Sequence, residues 1–250
     1  YAVPKRGIDE KGYVVVQLKQ DVLWLGHSRI VFKSDNEPSL VQVMEALTRA
    51  LKMSALTSVA NEGSVPYDPQ TNGAAESAVT LLKDTLKANL FCLERQLRAK
   101  VPVNHPIAAW MARYAATLRT LRIQGPDGKT AQQRVSGSSS ITRLLPFGEI
   151  CRYKARSQES GISGSSWRWS VGVWIGIERR TGQYIVYDKT MGGVRAARTI
   201  LRMPEPQQWS LDMVKELEAT PWAVLDTKLP EVIHHQPAPE PAAHDKPAQV

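Results

Sequence analysis

Val65-Pro66-Tyr67-Asp68-Pro69-Gln70-Thr71-Asn72-Gly73-Ala74-Ala75-Glu76 is a turn-rich loop that opens into a long helical pattern. Pro66 and Pro69 fix φ, and Asn72 and Gly73 tolerate positive φ, so each is a loop residue for its own reason. From Ala74 to about Lys100, Val79, Leu82, Leu86, Leu90, Leu93 and Leu97 recur at steps of three and four. That spacing predicts a helix with one buried face. At about 100° per residue, Glu76, Thr80, Lys83 and Lys87 form a second, polar stripe along the edge of the apolar one. The pattern places a carboxylate at the rim of a core, beside groups able to hold an anion. A plainer reading of the same residues is an acid that favours the helix dipole, with lysines as a solvated flank.

Upstream, Tyr1 to Pro4 reads as the end of a short strand, closed by the Lys5-Arg6-Gly7 turn. Val14, Leu18, Val22 and Leu25 then predict a helix over 9–25, with Asp9 able to cap it and Gly26 able to end it. A β-rich run, Arg29 to Asp35, follows, then a helix over 38–52 with Leu40, Met44, Leu47 and Leu51 on one face, then a strand over 55–59. Strand, helix, strand in short steps argues for an α/β sheet with a parallel pair. Asp35 falls where its strand runs out, the end of an α/β sheet where reactive groups collect. Asp35 or Asn36 could also cap the helix that begins at Pro38.

Two phrases resemble the catalytic core of retroviral and retrotransposon integrases. Tyr67-x-Pro69-Gln70-x-Asn72-Gly73-x-x-Glu76 is similar to the segment that carries that family's last acid, and Lys33-Ser34-Asp35-Asn36 to the strand that carries its middle acid. Forty residues intervene between Asp35 and Glu76, slightly more than the family's usual separation. The resemblance implies an RNase H-like core, incomplete at its N-terminus because the family's first strand and its Asp lie upstream of Tyr1. It further implies Asp35 and Glu76 as catalytic, metal-binding acids for Mg²⁺ (or Mn²⁺), hard ions that suit oxygen ligands. Tyr67, Gln70, Asn72, Lys83 and Lys87 would contact DNA. The activity implied is trimming and joining of element ends by in-line displacement at phosphorus with two metal ions. The expected partners are element-end and target DNA and further copies of the chain. With one acid missing, little joining is expected of this chain by itself, and a degenerate or domesticated nucleic-acid-binding remnant is the alternative.

The chain has 250 residues and a net charge of +8, with 42% hydrophobic residues. That is enough for one good core and a second, smaller one, and the charge favours an acidic partner, nucleic acid foremost. Cys92 and Cys151 stand apart, without a CxxC or Cys/His cluster, which fits a reduced, intracellular protein that would be nuclear when acting on DNA. No apolar run approaches the length of a membrane span, no secretory leader is read, and the opening suggests a piece of a longer polyprotein.

A helix from Pro106, with Ile107, Trp110, Met111, Tyr114, Leu118 and Leu121 buried, closes the expected core, assigned to 1–123. Residues 124–140 read as a linker. Over 141–205, short runs of Val, Ile, Tyr and Trp between Gly-containing turns predict a small antiparallel β domain. It carries ten cations against four acids between Arg152 and Glu205. Basic residues among aromatics suit nucleic-acid phosphates, and solvated strand faces account for them equally. Trp174 to Ile177 and Tyr184 to Asp188 resemble the small β domain that follows the core in copia-like polyproteins. Residues 206–250 hold a possible helix, 210–219, and a Pro/Ala/His tail expected to be disordered, whose His234, His235 and His244 lack ligand spacing.

Overall fold

A computed structural model describes residues 1–54, 58–63, 73–138, 143–154 and 169–224. It is a mixed α/β structure with two hydrophobic cores.

The smaller core is built by α1 (Tyr13–Leu25), β1 (Arg29–Ser34), α2 (Pro38–Lys52) and β2 (Ser58–Gly63). α1 starts at Tyr13, four residues after the predicted position, because Gly12 stands in the left-handed region (φ 63°) and breaks the helical run. Asp9 spans the break by accepting from the backbone N–H of Tyr13 at 2.8 Å and of Lys11 at 3.3 Å. The expected strand at Tyr1 to Pro4 does not form. Tyr1 instead sets its ring edge-on to Tyr13, at 6.2 Å, and donates its hydroxyl to Asp21.

β1 and β2 pair in parallel, Arg29 opposite Ser58 through Ser34 opposite Gly63. The second strand therefore runs past the predicted 55–59, into polar Asn61 and Glu62, because pairing with β1 outweighs their weak β propensity. Of the predicted stretch, residues 55–57 lie outside the described residues. Ile30 and Phe32 turn toward Leu40, Met44, Leu47 and Leu51, while Val31 stands on the open face, 63% exposed. Alternation with one covered face is the signature of a half-buried sheet.

The larger core joins the end of α3 (Gly73–Leu97), α4 (Pro106–Arg122) and a five-stranded antiparallel sheet. Its strands are β3 (Ile150–Lys154), β4 (Trp169–Ile177), β5 (Tyr184–Asp188), β6 (Gly193–Ala197) and β7 (Ile200–Arg202), in the order β6-β5-β4-β3-β7. Tyr114 of α4 stacks on Phe147 at 5.3 Å and meets Trp174 of the central strand edge-on at 5.2 Å. Gly148 (φ 85°) lets the chain pass under α3, since a Cβ there would lie 2.5 Å from Leu93 Cδ1. Burial with Glu149 nearby pushes the Cys151 thiol up to about 12. Glu149 is itself fully buried and receives Arg202 through two hydrogen bonds of 2.6 and 2.8 Å.

The apolar stripe of α3 is buried only in part. Leu93 and Leu97 are core, Leu86 and Leu90 lean on it, and Val79 is 49% exposed. The first turns extend beyond α4 and the sheet, so the expected core rim around Glu76 is an exposed helix end. The 124–140 stretch, read as a linker, contains α5 (Ala131–Ser136), opened by a capping box of Thr130 and Gln133. Beyond β7, a turn of 3₁₀ helix (Glu205–Gln207) and α6 (Leu211–Lys215) return the chain to the core. Trp110 Nε1 donates to the carbonyl of Ala219 at 2.7 Å, and Tyr187 donates to that of Glu216 at 2.7 Å. Val214, Leu217 and Val224 are buried there, so the expected helix over 210–219 forms as the shorter α6 and packs on the core. Residues 225–250, with the three tail histidines, lie outside the described residues.

Candidate nucleic-acid interface

Asp35 follows the last residue of β1 directly, at the carboxyl ends of the parallel pair, and is exposed. Its Oδ1 accepts from the Asn36 backbone N–H at 2.7 Å. The Asn36 side chain lies against Gly63 at the end of β2, where a Cβ would come within 2.4 Å of its Oδ1. Neither Asp35 nor Asn36 caps α2. The N-cap is Glu37, whose carbonyl accepts from Leu40 and Val41 while its carboxylate holds Arg6 at 2.9 Å and Ser39 at 2.5 Å.

Glu76 lies in the first turn of α3, exposed, where a negative charge is favoured by the helix dipole. Lys83 and Lys87 are exposed on the same stripe, 20° to either side of it at about 100° per residue. Lys87 pairs with Asp84 at 3.6 Å, both well exposed, an i,i+3 contact worth a few tenths of a kcal/mol at most. Tyr67, Gln70 and Asn72 lie outside the described residues.

The packing of the two acids differs. Asp35 ends a strand of the smaller core, whereas the packed residues of α3 belong to the larger one. Among the described residues, no three His, Cys, Asp or Glu side chains gather as a metal-ligand set.

The sheet divides its cations into two classes. Arg179 pairs with Asp21, Arg180 with Glu178 at 3.6 Å, Arg202 with Glu149, Lys189 with Glu216 at 3.4 Å, and Arg195 donates to the carbonyl of Met191. Arg152, Lys154 and Arg198 are exposed. Arg152 stands between two exposed apolar neighbours, Val171 of β4 and Leu201 of β7. Most of the aromatics expected among these cations face inward, with Tyr153, Trp174 and Tyr187 buried, while half-buried Trp169 stands opposite exposed Lys154 on the outer face. Tyr153 donates to Asp188 at 2.8 Å, and the other Asp188 oxygen accepts from Thr190 and Met191, locking the β5–β6 turn. The β-domain surface is thus mainly cationic and aliphatic, with the half-buried Trp169 ring beside Lys154.

No described helix is long and apolar enough to cross a membrane. No protein-family model matches the chain, and no curated protein matches it. Among solved structures, a chain in the cryo-EM structure of the simian T-cell lymphotropic virus intasome in complex with PP2A regulatory subunit B56 gamma is similar at 16% identity and a TM-score of 0.35. The similarity covers 79% of this chain and 66% of that one. Likeness at that level leaves the functional reading to the residues themselves.

Proposed function

We propose that this chain is the DNA-contacting part of an integrase-type polynucleotidyl transferase of retrotransposon origin. The observation that carries the reading is the pair of integrase-like phrases, whose acids stand exposed at a strand's carboxyl end and in a helix's first turn. In this reading 1–123 derives from an RNase H-like core, 124–140 connects it onward, and 141–205 adds a cationic β surface. Several copies act together on DNA in the nucleus.

Asp35 and Glu76 would hold Mg²⁺ or Mn²⁺, which when bound polarises a phosphate and activates the attacking oxygen. Lys83 and Lys87, on the stripe that starts at Glu76, attract and orient the DNA backbone. Tyr67, Gln70 and Asn72 position the DNA end from the preceding loop. Arg152, Lys154 and Arg198 add sequence-independent phosphate contacts, which give affinity and register without reading bases.

A second reading, a nucleic-acid-binding remnant without catalysis, is favoured by the absence of a three-acid ligand set among the described residues. Both readings require DNA binding that weakens steeply with salt. Anisotropy titrations across salt should give a negative log–log slope, and Lys83→Ala should lower its magnitude by about 1. Salt-insensitive or negligible binding would sink both readings. Mn²⁺ binding weakened by Asp35→Asn and by Glu76→Gln, with DNA binding retained, selects the transferase. Mn²⁺ binding that neither substitution alters selects the remnant.

A further inference from the structure

The two cores meet at a charged junction that the DNA reading does not use. Tyr1, Asp21, Arg113, Glu178, Arg179 and Arg180 line a partly enclosed cavity of about 120 Å³ between α1, α4 and the turn after β4. Arg113 holds Glu178 at 2.5 Å, and Arg180 reaches the other Glu178 oxygen at 3.6 Å and Gln20 at 2.6 Å. Arg179 pairs with Asp21 and lies over the Trp24 ring, 4.4 Å from its centroid.

Three guanidiniums face two carboxylates here, which leaves one positive charge in excess. The Arg179 Nε is buried with no hydrogen-bond partner. The Glu178 end of the cavity is poorly hydrated, with the side chains of Arg113, Arg180 and Glu178 only 14%, 13% and 10% exposed. In such a place the excess positive charge gains more from an anion than it would in water, and planar guanidinium donors suit tetrahedral oxyanions.

We propose that this cavity binds one small oxyanion of the phosphate or sulfate class, which supplies the missing negative charge and ties α1 to α4 and the sheet. The volume corresponds to roughly four waters at liquid density, room for a single oxyanion and not for a polynucleotide. The site is therefore separate from the DNA surface proposed above, and either can fail without the other.

The test is thermal unfolding of the full chain in phosphate, sulfate and chloride at matched ionic strength. Phosphate should raise Tm saturably, by roughly 3–6 °C at about ten times its dissociation constant, with chloride ineffective. Arg179→Gln and Arg180→Gln should abolish the rise, and Arg49→Gln, exposed on α2, should leave it intact. Equal effects of phosphate and chloride would overturn the proposal, as would a rise that survives both cavity substitutions. Should those variants not fold, labelling of the unaltered chain with an arginine-selective dicarbonyl decides the matter. Shielding of Arg179 and Arg180 by phosphate supports the site, and labelling unchanged by phosphate refutes it.

Discussion

The larger core closes around aromatic side chains drawn from three distant parts of the chain, whereas the buried cluster of the smaller one, among the described residues, is Val22, Met44, Leu47 and Leu51. The larger has a helix layer and a C-terminal segment packed against its sheet, with Trp110 and Trp174 sealed inside. The smaller has helices on one face of a two-stranded sheet and Val31 exposed on the other. Parallel strands are normally covered on both faces. The difference teaches that Asp35 rides on the region with less apolar burial of its own, while Glu76 begins a helix anchored in the stronger region. The two acids thus ride on elements packed in different cores.

The sharpest way to break that contrast is Trp110→Ala, which removes a fully buried indole and its hydrogen bond to Ala219. Denaturant unfolding should show a loss of about 3–5 kcal/mol, the range for large aromatics in cores. A loss under about 1 kcal/mol would mean that α4 is no keystone of the larger region. Leu47→Ala should cost less, about 2–3 kcal/mol, because a thinly built core relaxes around the deletion. Hydrogen exchange should then speed up in α2 and β1 and leave β4 and β5 protected. Equal acceleration in both sheets would instead merge the two regions into one cooperative unit. Smallest of all is Val79→Ala, on the exposed half of α3, expected to fall within about 0.5 kcal/mol of the unaltered chain. A larger loss would extend the strong region up the helix toward Glu76.

The helices were legible in the sequence because their signals are local. Pro38 and Pro106 open α2 and α4, Gly26 closes α1, and apolar steps of three and four mark the buried faces. The antiparallel strands were legible for the same reason, as β-branched and aromatic runs between Gly-containing turns. What was not legible is which surfaces meet. The stripe on α3 reads the same whether all of it is buried or only Leu93 and Leu97, since periodicity records a face and not its partner. Likewise Arg179, Arg180 and Arg202 resemble the exposed Arg152 in sequence, yet their carboxylate partners lie 158, 2 and 53 positions away. The aromatic-and-basic impression of 141–205 was too broad, because alternation along a strand sends Tyr153 and Trp174 inward and leaves only Trp169 beside the exposed Lys154. At the candidate site, residue types were readable and separations were not, because a motif records which acids are present and not how the elements that carry them pack.

The bond from Trp110 to Ala219 links positions 109 apart. Drawing so long a ring shut costs a free chain on the order of 4 kcal/mol in lost wandering. Since synthesis proceeds from the N-terminus, α4 is made long before the strip that covers it. Its indole N–H therefore lacks this partner until the ribosome has released that strip.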